Sequence, residues 1–287
     1  MSSSLPFNVS TIGYYIREGP PTFRCIPKEP SVLPIVSTQL DGHVLLDKNG
    51  FEEENVHEQQ MQSLLEFIWT DPLVLKGVQV VTHRQILAEV AAHEDPLAIL
   101  AFKYEDRYWL IKYPGEGEES SGGANDHLAR GHAVHRFVTT GQTSENAQTE
   151  KKPVIKSVCK LNVNSEQSAC FLYSAEINGR TTDGLHVEVK SSTLPSLEDW
   201  IQKRNSYCYY QCLLGNVPKI VVGFGRNWKP HQFCLQNIES LDREHLREEA
   251  KIDTDVGMRS IAKLFDALQS RRMENEDCFA VRREQGQ

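Results

Sequence analysis

Between Phe171 and Arg226 the chain runs through three apolar stretches, two of them broken by polar or charged residues at every second position. Side chains two apart on a strand share a face. In Ser174-Ala175-Glu176-Ile177-Asn178, Glu176 and Asn178 therefore point one way and Ile177 the other. In His186-Val187-Glu188-Val189-Lys190, Glu188 and Lys190 share a face opposite Val187 and Val189. If the two runs pair as a hairpin through the turn Gly179–Gly184, the four polar side chains meet on one patch. The third stretch, Val217–Phe224, is almost continuously apolar, which predicts a strand buried on both faces. Between the second and third stretches, Ser196 is placed to cap a helix, with Glu198 and Asp199 favoured in its first turn. That helix is predicted over 197–214, with Gly215 just past its end.

The rest of the chain supplies partners for this core. Short extended pieces broken by prolines fill 1–55, with one strand at 42–46. Helical spacing at Val56, Met61, Leu64, Leu65 and Ile68 ends at Asp71-Pro72, because proline cannot continue a helix. A strand is predicted at 78–81 and a short helix at 84–92. Leu97–Phe102 and Tyr108–Tyr113 flank a five-residue polar connection, the pattern of a hairpin. Residues 114–126 and 139–152 read as polar surface loops. Val154–Val163 and Ala169–Asn178 read as strands. Val256, Ile261, Leu264, Phe265 and Leu268 mark a closing helix, after which 271–287 reads as a flexible, charged tail. The expectation is a single domain over 1–287 with its core at about 12–270, α/β (α+β) in class.

Composition excludes several function classes. The net charge of −8 rules out a generally basic nucleic-acid binder but leaves room for a local basic channel. No apolar run is long enough to cross a membrane. The first residues lack the basic and apolar regions of a secretory signal, so the chain is expected in the nucleus or cytoplasm and not secreted. The seven cysteines are scattered and odd in number, which fits reduced thiols. Cys208 and Cys212, four apart on the predicted helix, read as small buried apolar groups.

A patch holding Glu176, Asn178, Glu188 and Lys190 would suit a hard divalent cation such as Mg²⁺ or Mn²⁺. Glu188 would be a ligand, and Glu176 would bind directly or through water. Lys190 would orient an attacking water and stabilise charge on a phosphate. Gln211 on the following helix would add a polar contact. Taken alone, Glu-x-Lys fits a solvated cross-strand ion pair better than a metal site. The histidines 127, 132 and 135 leave open a softer metal such as zinc, or three solvated rings.

The run FLYSAEING, HVEVKSS and QCLLGNVPKIVVGFGR resembles the DXO decapping-nuclease family (Dom-three-Z/Rai type), and Val80-Val81-Thr82-His83-Arg84 is similar to that family's motif for the RNA 5′ end. The resemblance covers about residues 12 to 270. It implies two mixed β-sheets with flanking helices, related to the PD-(D/E)xK nucleases. It implies metal-dependent removal of incomplete or irregular caps from RNA, NAD caps among them, with 5′-to-3′ exonuclease activity. By the resemblance, Arg84 would contact the RNA 5′ end together with Lys190 and Gln211. Glu176, Glu188, Lys190 and Gln211 would form the catalytic group, and Glu176, Glu188 and Asn178 would hold the metal.

Two positions depart from that pattern. Asn178 stands where the family has Asp, and His135 stands at a position the family fills with Glu. At an effective dielectric of about 20, each lost charge is worth a few kcal/mol of metal attraction, so Mg²⁺ or Mn²⁺ would bind weakly. Two readings follow. One is an RNA 5′-end hydrolase of the DXO type. The other is a catalytically impaired relative that binds RNA 5′ ends, or a protein partner that the sequence does not name, without hydrolysis. In the second half of the chain Lys151, Lys152, Lys156, Lys160, Lys203, Arg204, Lys219 and Arg226 are candidates for a phosphate-tracking groove. Tyr207, Tyr209 and Tyr210 are candidates for stacking on bases or packing.

Overall fold

The period-two runs sort into two separate sheets, and the point where the chain leaves one for the other lies inside the predicted patch. The computed structural model describes residues 6–17, 25–27, 33–48, 56–93, 97–113, 122–144, 154–164, 168–271, 274 and 277–283. In chain order, β1 (Phe7–Arg17), β2 (Cys25–Pro27) and β3 (Val44–Asp47) precede α1 (Val56–Thr70). A 3-10 turn at Pro72–Leu75 leads to β4 (Val80–His83) and α2 (Arg84–Ala92). The hairpin β5 (Leu97–Tyr104) and β6 (Arg107–Lys112) comes next, then α3 (Gly122–Thr140). The core run is β7 (Val154–Val163), β8 (Ala169–Glu176), β9 (Gly179–Arg180), β10 (His186–Ser192), α4 (Leu197–Leu214) and β11 (Lys219–Lys229). It is followed by β12 (Gln232–Asp242), α5 (Arg243–Glu249), α6 (Thr254–Ser270) and β13 (Cys278–Arg283).

Eight strands form a mixed sheet in the order β13-β5-β6-β4-β8-β7-β1-β2. Five form a second, in the order β3-β12-β11-β10-β9. The predicted pairing of the Glu176 and Glu188 runs is therefore corrected. β8 pairs with β7 and β4 in the first sheet, whereas β10 pairs with β11 and β9 in the second. Only Gly179-Arg180 folds back on His186-Val187. The chain crosses between sheets at Ile177-Asn178. The Ile177 amide still donates to Ile155 of β7, and Gly179 is already paired with Val187. A side chain at Gly179 would place its Cβ 2.6 Å from Val36 and 2.9 Å from the Pro34 carbonyl, so the crossing needs a residue without one.

The two sheets share one apolar core with α2, α4 and α6. It joins Phe171, Tyr173 and Ala175 of β8 to Cys208, Cys212 and Leu213 of α4 and to Ile220, Val222 and Phe224 of β11. The outer face of the first sheet is covered by α1 through Leu64, Phe67 and Ile68. The second is covered by α3 through Ala133, Val134 and Val138, which pack on Val187, Val221 and Phe233. That burial explains why α3 forms over glycines and histidines of modest helix propensity, starting inside the stretch predicted to be loop. The tail also departs from expectation. Cys278–Arg283 adds to the first sheet as an edge strand on β5, because alternating Phe279 and Val281 pack against the core. Among the described residues no helix is long and apolar enough to cross a membrane.

The β10–α4–β11 unit sets the site. Parallel pairing puts Glu188 beside Ile220 and Lys190 beside Val222, and α4 crosses over them. Ser196 caps α4 as predicted, accepting from the Asp199 amide at 3.1 Å. The far end of α4 is tied to the first sheet by the fully buried Tyr173, whose hydroxyl donates to the Leu214 carbonyl at 2.8 Å. Replacing Tyr173→Phe leaves that carbonyl without its buried donor. The expected loss is about 1–3 kcal/mol of stability, read as a lower urea midpoint at unchanged slope.

Candidate functional site

Two strand ends, one helix start and one helix face bring their polar groups together where the sheets meet. Glu188 is buried on the inner face of β10, and its two oxygens are held from opposite sides. Lys190 Nζ donates to Oε1 at 2.7 Å, and Arg84 Nη1 donates to Oε2 at 3.2 Å. Arg84 is the first residue of α2, and its guanidinium also reaches the Gln211 carbonyl at 3.4 Å. Lys190 donates to Gln211 Oε1 at 2.7 Å, and Gln211 Nε2 donates to the Tyr207 hydroxyl at 2.9 Å. Tyr207 thus turns the Gln211 amide so that its oxygen faces the ammonium.

These contacts dictate the charge states. Burial alone would raise the Glu188 carboxyl, but Lys190 and Arg84 outweigh it and bring it down to about 2. Burial opposes the Lys190 and Arg84 charges too, and Glu188 more than restores them, so both stay protonated far above neutral pH. Burial pushes the Tyr207 hydroxyl up to about 12, so it remains neutral.

The structure brings Arg84, Glu176, Asn178, Glu188, Lys190 and Gln211 together although the strands do not pair. Asn178 sits at the crossing between sheets. Its Oδ1 accepts from the Val189 amide at 2.8 Å, which fixes the amide so that Nδ2 faces Glu176 Oε1 at 3.3 Å. His135, on α3, bonds through Nε2 to the Asn178 carbonyl at 2.8 Å. Both divergent positions therefore hold the crossing in place. His127 lies against Arg130 at 2.7 Å, while His132 is exposed, so the three histidines do not converge. Asp183 lies in the exposed turn between β9 and β10, away from the cluster's hydrogen bonds.

A divalent cation fits this arrangement poorly. Glu188 already has a cation on each oxygen. The Asn178 oxygen is used by a backbone amide and turns a donor, not an acceptor, toward Glu176. Among the described residues no three His, Cys, Asp or Glu side chains come close enough to hold a metal. Hard cations need several oxygen ligands with net negative charge.

The eight basic residues expected along one groove are dispersed. Lys156 is buried on β7 beside Glu176, Lys160 caps the Lys76 carbonyl at 3.1 Å, and Lys219 pairs with Asp242 at 2.8 Å. Lys203 is exposed on α4, and Arg226 lies over Trp228. Lys151, Lys152 and the Arg204 side chain fall outside the described residues. Tyr209 and Tyr210 are buried and packed edge to face, and only Tyr207 faces the site. The sequence reading missed two parts of the cluster. One is the Arg84–Glu188 pair, which joins residues far apart in the chain. The other is the role of Tyr207, signalled by its spacing of four from Gln211 on one helix face.

Comparison with solved structures identifies the architecture. Candida albicans Rai1 in complex with pU5 and Mn²⁺ superposes with a TM-score of 0.67 at 15% identity, covering 98% of this chain and 87% of that one. Scheffersomyces stipitis Rai1 in complex with (3′-NADP)⁺ and calcium gives 0.67 at 15%, over 98% and 87%. K. lactis Dxo1 in complex with manganese gives 0.68 at 12%, over 98% and 89%. No sequence-family model and no curated protein sequence matches the chain. The chain has the Rai1/Dxo1 fold, the α+β arrangement of two mixed sheets that the resemblance implied.

The ion cluster makes two testable demands. Glu188→Gln strands two partly buried cations and should cost up to about 3–5 kcal/mol, whereas the apolar triple Arg84→Met, Glu188→Leu, Lys190→Met should recover most of that loss. Because the folded Glu188 carboxyl is depressed from 4.5 to about 2, its stabilisation is complete above pH 4.5 and disappears as the pH falls toward 2. Urea titrations at pH 6, 4 and 3 should show a steeper acid loss in the wild type than in Glu188→Gln.

Proposed function

We propose that this protein is a Rai1/Dxo1-fold binder of RNA 5′ ends that grips the terminal phosphate without metal-dependent cleavage. The observation that carries the reading is the state of Glu188, a carboxylate closed between Arg84 and Lys190 where a metal-dependent hydrolase needs it open to a cation. The fold supports an RNA ligand, since one solved neighbour holds pU5 and another a dinucleotide. The cations supply the grip. Lys190 has a quarter of its side chain exposed, with Arg84 behind it on the other Glu188 oxygen. A terminal phosphate is recognised by such a pair through charge-assisted hydrogen bonds. Gln211, oriented by Tyr207, would accept from a ribose hydroxyl or hold a bridging water.

The second reading is the hydrolase, acting on incomplete or NAD caps with Mg²⁺ or Mn²⁺. It is favoured by the survival of Glu176, Glu188, Lys190 and Gln211 in one cluster. In that case metal entry would have to displace Arg84 or Lys190 from Glu188, against two close ion pairs.

One experiment separates them. Purified protein is incubated with 5′-monophosphate and NAD-capped RNA in Mn²⁺ and in Mg²⁺, while affinity is measured by anisotropy in EDTA. The binder should leave both RNAs intact and prefer the 5′-monophosphate over a 5′-hydroxyl end by about 10-fold, a preference lost in Arg84→Met. The pair Asn178→Asp with His135→Glu, which adds two carboxylates, should be needed for any cleavage. Cleavage by the wild type that disappears in Glu188→Gln would overturn the binder reading.

A further inference from the structure

A second basic and aromatic feature lies at the far end of the five-stranded sheet, separated from the ion cluster by the sheet itself. Glu188 and Lys190 face α4, whereas α3 covers the opposite side. Beyond Phe224, β11 outruns β10 and pairs only with β12. The register shifts between Asn227 and Lys229, so Trp228 is the extra residue of a bulge. Bulges re-aim a side chain out of the ladder. Trp228 is 52% exposed, in the exposed end of β11 that runs from Arg226 to Lys229. The Arg226 guanidinium sits 5.1 Å from its ring centroid.

Two adjoining clefts of about 460 and 310 Å³ flank this tip and share Lys229 and Pro230. Their floor is built. Lys48, its side chain 3% exposed, is ion-paired with Asp126, and Asn227 Nδ2 donates to the same carboxylate at 3.1 Å. Arg136 Nη2 donates to the Asp47 carbonyl at 2.6 Å, and Arg130 lies within electrostatic reach of Asp126. Lys48 and Asp126 neutralise each other in that floor, so the charge offered to a ligand at the tip comes from the exposed Arg226 and Lys229. Two exposed cations beside an exposed indole suit an anionic ligand with a flat ring. An acidic peptide would use the cations and leave the indole in water. A single-stranded nucleic acid uses both, stacking a base on the ring and placing phosphates on the basic groups.

We propose that the Arg226–His231 hairpin tip is a second RNA subsite, in which Trp228 stacks a base of the single strand and Lys229 holds an adjacent phosphate. The choice of RNA over another single-stranded polyanion rests on the 5′-end reading; the position and chemistry of the subsite do not. A strand held here would be gripped along its length, independently of the chemistry of its end.

The test is anisotropy of a 3′-labelled, 5′-hydroxyl oligouridylate on the full chain in EDTA, from 50 to 200 mM salt, with intrinsic tryptophan emission recorded in parallel. Trp228→Ala should weaken binding about 10-fold and remove most of the emission quenching, whereas Trp228→Phe should keep most of the affinity. Lys229→Gln should lower the slope of log affinity against log salt by about 0.7. Neither variant should alter the preference for a 5′-monophosphate. Wild-type affinity in both Trp228→Ala and Lys229→Gln would overturn the subsite while leaving the 5′-end reading standing. Loss of affinity in these variants without any 5′-phosphate preference in the wild type would do the reverse. Displacement of the RNA by polyglutamate at equal charge would show attraction without stacking and would also overturn it.

Discussion

The Glu188 carboxylate, buried between Lys190 and Arg84, is the constraint around which the rest of the site is arranged. A carboxylate taken out of water needs compensating charge close by, and this one has it on both oxygens. Arg84 can reach only because α2 begins where β4 ends. Lys190 can reach only because β10 and β11 run parallel under α4. Even Gly215 belongs to this arrangement. It follows α4 with an ordinary right-handed backbone, and a Cβ there would lie 2.9 Å from the Arg84 guanidinium. The left-handed residue that follows the helix is Asn216.

The same constraint governs what the site can do. The fold is one whose solved examples include structures with manganese or calcium. Here the compensating charges come from the chain itself. Asn178 completes the change. An Asp at that position would present a second anionic oxygen beside Glu176, whereas the amide spends its oxygen on Val189 and offers Glu176 a donor. Such a closed network ties the junction of the two sheets together and spends the Glu188 carboxylate on the chain's own cations.

Much of this was legible in the sequence because it is local. Period two placed Glu188 with Lys190, the cap at Ser196 and the length of α4 placed Gln211, and the apolar run at Val217–Phe224 marked a buried strand. Non-local choices were not legible. Alternation in β8 and β10 is equally consistent with a hairpin and with strands in different sheets, and only burial against α2 and α4 decides. The helix α3 was hidden because its glycines and histidines favour no structure until Ala133, Val134 and Val138 meet the second sheet. The edge strand at Cys278–Arg283 was masked by its charged neighbours. The Arg84–Glu188 pair joins residues more than a hundred positions apart, so no spacing announces it.

The central claim, that Glu188 is satisfied by this chain's own cations and not by a metal, is tested most directly by titrating Mn²⁺ into the purified protein and following free Mn²⁺ by electron paramagnetic resonance. No saturable binding below about 1 mM is expected, because two carboxylates, one of them doubly paired, provide too little anionic oxygen. Saturable binding in the micromolar range that vanishes in Glu188→Gln would contradict it.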